Sequence, residues 1–334
     1  MKQAFLEVVS AIDCVGRQKH DDRLLNNAKH FASLKIAKKD VRELREVMAG
    51  KDCIIVSAGP STIRENTIDR LKRARRDDLA IVCMDASLIR LIKCGIVPDY
   101  CVVIDPHPTR MLRWFGDPWL EEHTSEDEYF IRQDLDIAFR NASREANEAN
   151  IKLLNEAGRE VSLIAATILE PKLLKRFQEI KFKNNYWFTP LVDDPADINS
   201  LTRKLFEICN ISCMNTGGNV GCAAWIYSNF IANAKRIGAI GMDYSYYEDV
   251  PYLETQTYYE LMVLAEESRI DDYFVWQNGV CGRKFYQDPT FYWYCDSFLS
   301  LVAKSEKPLY NLSEAGLLYG ENIVQENIER FING

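Results

Sequence analysis

Residues 53–62 read Cys53-Ile54-Ile55-Val56-Ser57-Ala58-Gly59-Pro60-Ser61-Thr62. An unbroken apolar run ending in a turn fits a strand buried on both faces, as in a parallel sheet. The Gly-Pro-Ser turn stops that strand and opens a polar helix from about residue 62. A turn of this kind leaves backbone N–H groups at a helix N-terminus, where the dipole favours an anion. Gly59, Pro60 and Ser61 are therefore candidate phosphate contacts; the alternative is a turn whose glycine and serine serve only the backbone path.

The alternation continues outward. Strands are expected at 79–84, 100–104, 161–166, 186–188, 237–242 and 309–311. Between them, spacing and polarity predict helices at 86–94, 136–157, 170–178, 199–209, 222–235, 257–268 and 291–304. Short apolar strands separated by helices imply parallel βαβ units with right-handed crossovers. The expected fold is α/β, a doubly wound, Rossmann-like parallel sheet with helical additions at both ends. Residues 1–50 are expected as a helical extension, with helices around Phe5–Ile12 and at 23–48. Residues 51–320 form the main body, with an insertion or lid near 117–158 that carries an acidic patch (Glu121, Glu122, Glu126, Asp127, Glu128). Residues 321–334 complete the chain as a helix.

Composition narrows the ligand. The 334 residues are 47% hydrophobic, ample for a large core, and the net charge of −8 with a pI near 5.3 argues against nucleic acid as a partner. Any phosphate held should then sit on a small molecule. The ten cysteines include no CxxC pair and several lie in apolar runs, which suits a reduced, cytoplasmic compartment. Acidic residues come too early for a signal peptide, and no apolar run has the length of a membrane span.

In doubly wound sheets ligands gather at the carboxyl ends of the strands. Here those ends are polar: Gly59 to Thr62 after the first strand, Asp85 and Ser87 after the second, Asp105-Pro106-His107 after the third, and Asp243-Tyr244-Ser245 after the strand ending at Met242. Asp85 serves either a ribose hydroxyl or the cap of its own helix. Asp105 lies in a stiff Asp-Pro-His-Pro segment that continues neither strand nor helix. A second loop, Asn215-Thr216-Gly217-Gly218-Asn219-Val220-Gly221, runs into an apolar helix. Its adjacent glycines permit close approach of backbone to ligand, and its asparagines and threonine can donate or accept. It also suits tight packing of helix on sheet. Asn215, Thr216, Gly217 and Gly218 join the candidate contacts. Neither loop is a Walker A, and the nicotinamide fingerprint GxGxxG is absent. The pairs Asp193-Asp194 and Asp271-Asp272 read as loop charge rather than metal sites.

Ala58 to Ser61, Gly95-Ile96-Val97-Pro98-Asp99-Tyr100 leading to Asp105, Gly217 to Ala224, Ile240-Gly241-Met242-Asp243 and Tyr310 to Gly316 occur in this order. Together they resemble the Maf/MptE-like family, over about residues 50–320. That family unites 6-hydroxymethylpterin diphosphokinases with motility accessory factors that glycosylate flagellin. Asn215 to Tyr247 is also similar to the CMP-sugar segment of bacterial sialyltransferases. The resemblance implies a nucleotide-dependent transferase. Its donor would be a CMP-activated sugar of the nonulosonic acid type or, in the diphosphokinase alternative, ATP with Mg²⁺. A third possibility is a nucleotide-binding protein without turnover. The acceptor (protein, glycan or pterin) and the oligomeric state stay open.

The extra helical segments and Asn311-Leu312-Ser313-Glu314-Ala315-Gly316, similar to the Maf branch, favour sugar transfer. In the sialyltransferases, tyrosines downstream of the Gly-x-Asp motif support the departing phosphate. Tyr244, Tyr246, Tyr247 and Tyr252 occupy that stretch here, and their phenols would stabilise charge on the leaving oxygen. The histidine base of those enzymes has no counterpart, since no histidine follows His123. Asp243, Glu314 and His107 are the candidate bases, with Tyr246 as the phenol. For the diphosphokinase alternative, Asp85, Asp105 and Asp243 are the oxygen ligands available to Mg²⁺.

Overall fold

The structure is a computed structural model that describes residues 2–18, 21–74, 76–107, 110–120, 137–264 and 267–334. The expected run from Cys53 becomes β2, and the chain adds strands to either side of it. The strands are β1 (Lys39–Asp40), β2 (Asp52–Val56), β3 (Ala80–Met84), β4 (Tyr100–Val103), β5 (Ser162–Ala166), β6 (Asn184–Leu191), β7 (Cys213–Asn215), β8 (Arg236–Ile240), β9 (Tyr246–Tyr247), β10 (Val275–Asn278), β11 (Lys284–Gln287), β12 (Leu309–Asn311) and β13 (Ile323–Gln325).

Nine strands form one parallel sheet in the order β1-β6-β5-β4-β3-β2-β8-β12-β13, and β7 extends the other end of β6. The fully buried patterns of β2, β3 and β5 explain their unbroken apolar sequences: helices cover both faces. From β2 the chain winds one way through β3, β4, β5 and β6, then returns to place β8, β12 and β13 on the other side. The sheet is therefore doubly wound, with its switch point between β2 and β8.

Several boundaries differ from expectation. The second helix is Asp21–Ser33 and stops well short of residue 48; Lys39–Asp40 instead joins the sheet edge beside β6. At the other end, Ile323–Gln325 pairs with β12, and only Ile328–Asn333 is helical. The stretch 222–235 is a shorter α-helix, Val220–Ile226, continued as a π-helix over Tyr227–Ile231. The strand-like pieces of 273–287 resolve into the antiparallel hairpin β10–β11, which pairs with β9 in a second, three-stranded sheet. The tyrosine-rich loop expected after residue 243 thus contains a strand. The acidic patch and His123 lie outside the described residues. The described part of the expected insertion packs on the core through Asn150 and Leu154 in the helix Asn147–Ala157.

Candidate active site

The switch point opens into a cleft of about 600 Å³ at the carboxyl ends of the parallel strands. The sheet side is lined by Gly59 after β2, Asp85 after β3, Asp105 after β4 and Asp243 after β8. Gly218, Asn219, Val220 and Gly221 form a second side; Gln256, Thr257, Thr290, Phe291 and Tyr294 face them from outside the main sheet. Leu24, Met111, Trp114, Ile168 and Val192 make an apolar end.

Asp243 is the hinge of this geometry. Its carboxylate is 2% exposed and accepts from the Ser61 backbone N–H (2.8 Å) and the Ser61 hydroxyl (2.6 Å). The Gly59 N–H donates to the Gly241 carbonyl and the Thr62 N–H to the Gly59 carbonyl. The donors expected to await a phosphate at the Gly-Pro-Ser turn are therefore taken by the protein itself. Pro60 and Ser61 are buried and absent from the cleft lining, a correction to their expected role. Its cause is an internal anion, Asp243, seated where a phosphate was expected. Gly59 is glycine because its turn abuts β8: a Cβ there would stand 2.6 Å from Asp243 Oδ2.

The segment from Asn311 to Gly316 closes over the same residue. Ser313 Oγ accepts from the Gly241 N–H, the Leu317 N–H donates to the Asp243 carbonyl, and Gly316, at φ +81°, lies against Asp243 Cα. Three of the segments that carried the family resemblance thus meet around one residue. Burial pushes the pKa of the Asp243 carboxyl up to about 6, with the Glu65 charge adding to the shift and the two Ser61 donors and Arg283 opposing it.

The glycine loop behaves differently from expectation in its first half. Asn215 Oδ1 accepts from the Gly217 N–H in a local turn, and Asn215, Thr216 and Gly217 are not among the described lining residues. A Cβ on Gly217 would meet Cys222, so this glycine serves packing. Gly218, at φ +83° and against the Trp293 ring, does line the cleft. Asn219 caps the following helix through Cys222 N–H. The N–H groups of Val220 and Gly221, in the first turn, have no intrahelical acceptor, and both residues line the cleft. The cleft-lining part of the loop is therefore 218–221.

Asp85 is buried at the start of the helix Asp85–Lys93 and accepts from the Ala86 N–H at 2.7 Å. Asp105 Oδ1 accepts from the His107 N–H at 2.9 Å, an Asx turn that holds its carboxyl at the rim. His107 itself is not among the lining residues. Glu314 pairs with Arg70 at 2.7 Å and is also outside the cleft. Tyr246 is buried in β9, where its hydroxyl donates to Asp288 at 2.7 Å rather than facing the cleft. Tyr244, its neighbour, lines the cleft with a left-handed backbone, φ +49°.

Among the described residues, no lysine, arginine or histidine lines the cleft, and no group of three or more His, Cys, Asp or Glu stands close enough to hold a metal ion. Asp85, Asp105 and Asp243 therefore do not converge into a metal cage of their own. The sequence reading missed the wall of Gln256, Thr257, Thr290, Phe291 and Tyr294. Asp288-Pro289, an N-cap followed by proline at the first helical position, was the signal that fixes this helix start.

Residues 22–115 match the family model described as 6-hydroxymethylpterin diphosphokinase MptE-like. No curated protein matches the sequence. Among solved structures, the fold is similar to that of a Maf glycosyltransferase from Magnetospirillum magneticum AMB-1, with a TM-score of 0.56 and 12% identity. The likeness covers 91% of this chain but only 38% of that one, so the chain spans well under half the length of its structural relative. The resemblance to the Maf/MptE-like family is borne out by the family match over residues 22–115, which run from the second helix through β4; over the rest of the chain the likeness to the solved structure is one of fold.

Proposed function

We propose, with the MptE-like match as premise, that the protein is a transferase that uses a CMP-activated sugar, its nucleotide lying along the cleft between Gly59, Asp105 and the 218–221 loop. The observation that carries this reading is the charge of the cleft: three carboxylates and, among the described residues, no cation on the lining. At about 6 Å and an effective dielectric near 20, each carboxylate–phosphate pair costs roughly 3 kcal/mol. A nucleoside triphosphate meets that repulsion with three or four charges, whereas a CMP-activated nonulosonic acid brings one phosphate and one carboxylate, and its hydroxyls give the carboxylates donors to accept from.

The N–H groups of Val220 and Gly221 supply the neutral donors that one phosphate needs. With Tyr246, Glu314 and His107 off the described lining, Asp243 is the base this reading requires: a carboxyl whose pKa near 6 suits proton removal close to neutrality. The chemistry is displacement at the anomeric carbon. Asp243 takes the acceptor proton as the new glycosidic bond forms and the nucleotide phosphate leaves with the electron pair of the broken bond.

The family description favours a second reading, pyrophosphoryl transfer from ATP to a pterin. It needs Mg²⁺ held by the nucleotide phosphates together with one or two of these carboxylates, a mode that does not ask for a protein cage. Titrating CMP, CTP and ATP, each with and without Mg²⁺, separates the readings. CMP binding indifferent to Mg²⁺ supports sugar transfer; binding confined to ATP with Mg²⁺ replaces it with the diphosphokinase; binding of none removes both.

A further inference from the structure

Asp288 is fully buried between three elements and accepts a hydrogen bond from each. The Tyr246 hydroxyl reaches Oδ2 from the small sheet at 2.7 Å, Thr257 Oγ1 reaches Oδ2 at 2.8 Å, and the Phe291 N–H reaches Oδ1 at 2.8 Å as the cap of the helix Pro289–Ala303. The Tyr246 oxygen also accepts from the Gln256 N–H at 3.1 Å. Gln256, Thr257, Thr290 and Phe291, all fixed by or next to this pair, line the cleft, whereas Tyr246 and Asp288 do not. Tyr246 is further clamped by stacking on Tyr286 and Phe291. A buried carboxyl and a buried phenol are thus placed behind the wall that faces the glycine loop. Asp288 caps its helix through one oxygen, and its other oxygen, held by the Tyr246 and Thr257 hydroxyls, ties the small sheet and the 256–257 segment to that helix start.

The chemistry of the wall is uniform. It offers an amide, two threonine side chains and two aromatic rings, with no charged side chain. Rings that stack on a pyranose face, beside an amide and hydroxyl oxygens that accept from its hydroxyls, are the components of a sugar subsite.

We infer that Tyr246 and Asp288 are positioning residues that hold the 256–257 and 290–294 wall as a pyranose-binding subsite, opposite the nucleotide side of the cleft. This rests on the transferase reading for the nucleotide side only. The sugar comes either from the donor or from a glycan acceptor.

The test compares affinities of CMP, CMP-N-acetylneuraminate and methyl β-D-galactopyranoside by calorimetry in the wild type and in Tyr246→Phe, Thr257→Val and Thr257→Ser, with thermal melting as the check on folding. CMP affinity is expected to stay within twofold in every variant. A sugar probe that binds the wild type should weaken at least tenfold in Tyr246→Phe and Thr257→Val, with Thr257→Ser restoring it. Loss confined to CMP-N-acetylneuraminate assigns the subsite to the donor; loss confined to the glycoside assigns it to the acceptor. Folded variants with unchanged sugar affinity, equal loss of CMP and sugar, or a wild type that binds CMP but gains nothing from either sugar would overturn the inference. Failure of the wild type to bind CMP counts against the nucleotide reading instead, and the glycoside then decides the wall by itself.

Discussion

At Asp243 the protein keeps a carboxyl away from water with Ser61 donating twice to it. The sign of the resulting pH dependence follows from the raised pKa. Below the ordinary value of 3.8 the folded and unfolded chains are both protonated, and the neutral carboxyl contributes its full stability; that contribution is lost as the pH rises toward and through about 6. The gap corresponds to about 3 kcal/mol against the ionised form at neutral pH. Asp243→Asn keeps one acceptor for the Ser61 N–H and removes the charge. It is expected to be about 1–3 kcal/mol more stable than wild type at pH 7.5, no more stable at pH 3.5, and inactive in transfer. Urea denaturation at the two pH values checks the first two statements, and a stability gain equal at both would show that the carboxyl charge is not what burial opposes. A carboxyl whose burial weakens the fold at the working pH is what the proposed base role asks of Asp243.

Elements were legible in the sequence where their residues answer to their own neighbours. The β2, β3 and β5 runs are apolar throughout because both faces are covered, and the helices between them carry ordinary periodicity. What failed was short and dependent on distant partners. Lys39–Asp40 is a strand only because β6 lies beside it, and Ile323–Gln325 only because β12 does. The rim residues were legible as a set, since strand ends in a doubly wound sheet are where ligands gather. Which of them faces the cleft was not: the hydrogen bond that turns Ser61 inward comes from a residue 182 positions away. The close approach of the β2 turn to β8 gives its own prediction. Gly59→Ala must move the turn away from Gly241 and Asp243, and should cost roughly 1–3 kcal/mol of stability by overpacking, read as a lower urea midpoint with an unchanged slope. A midpoint equal to wild type would mean that the two turns are not in contact.

Across the whole molecule, the single sheet reverses its winding between β2 and β8, and the cleft sits at that reversal with segments from both halves of the chain around it. The family match ends at residue 115, before the glycine loop, the Asp243 strand end and the uncharged wall, so the ligand cannot be transferred from it alone. Charge is the molecule's own contribution to that choice, with −8 overall and three carboxylates on the described lining of the cleft. The most direct test is a calorimetric titration of CMP into the protein in EDTA, run beside ATP with excess Mg²⁺. Saturable one-to-one binding of CMP, stronger than that of ATP with Mg²⁺, is the predicted result; binding of ATP with Mg²⁺ and no heat from CMP would contradict the account.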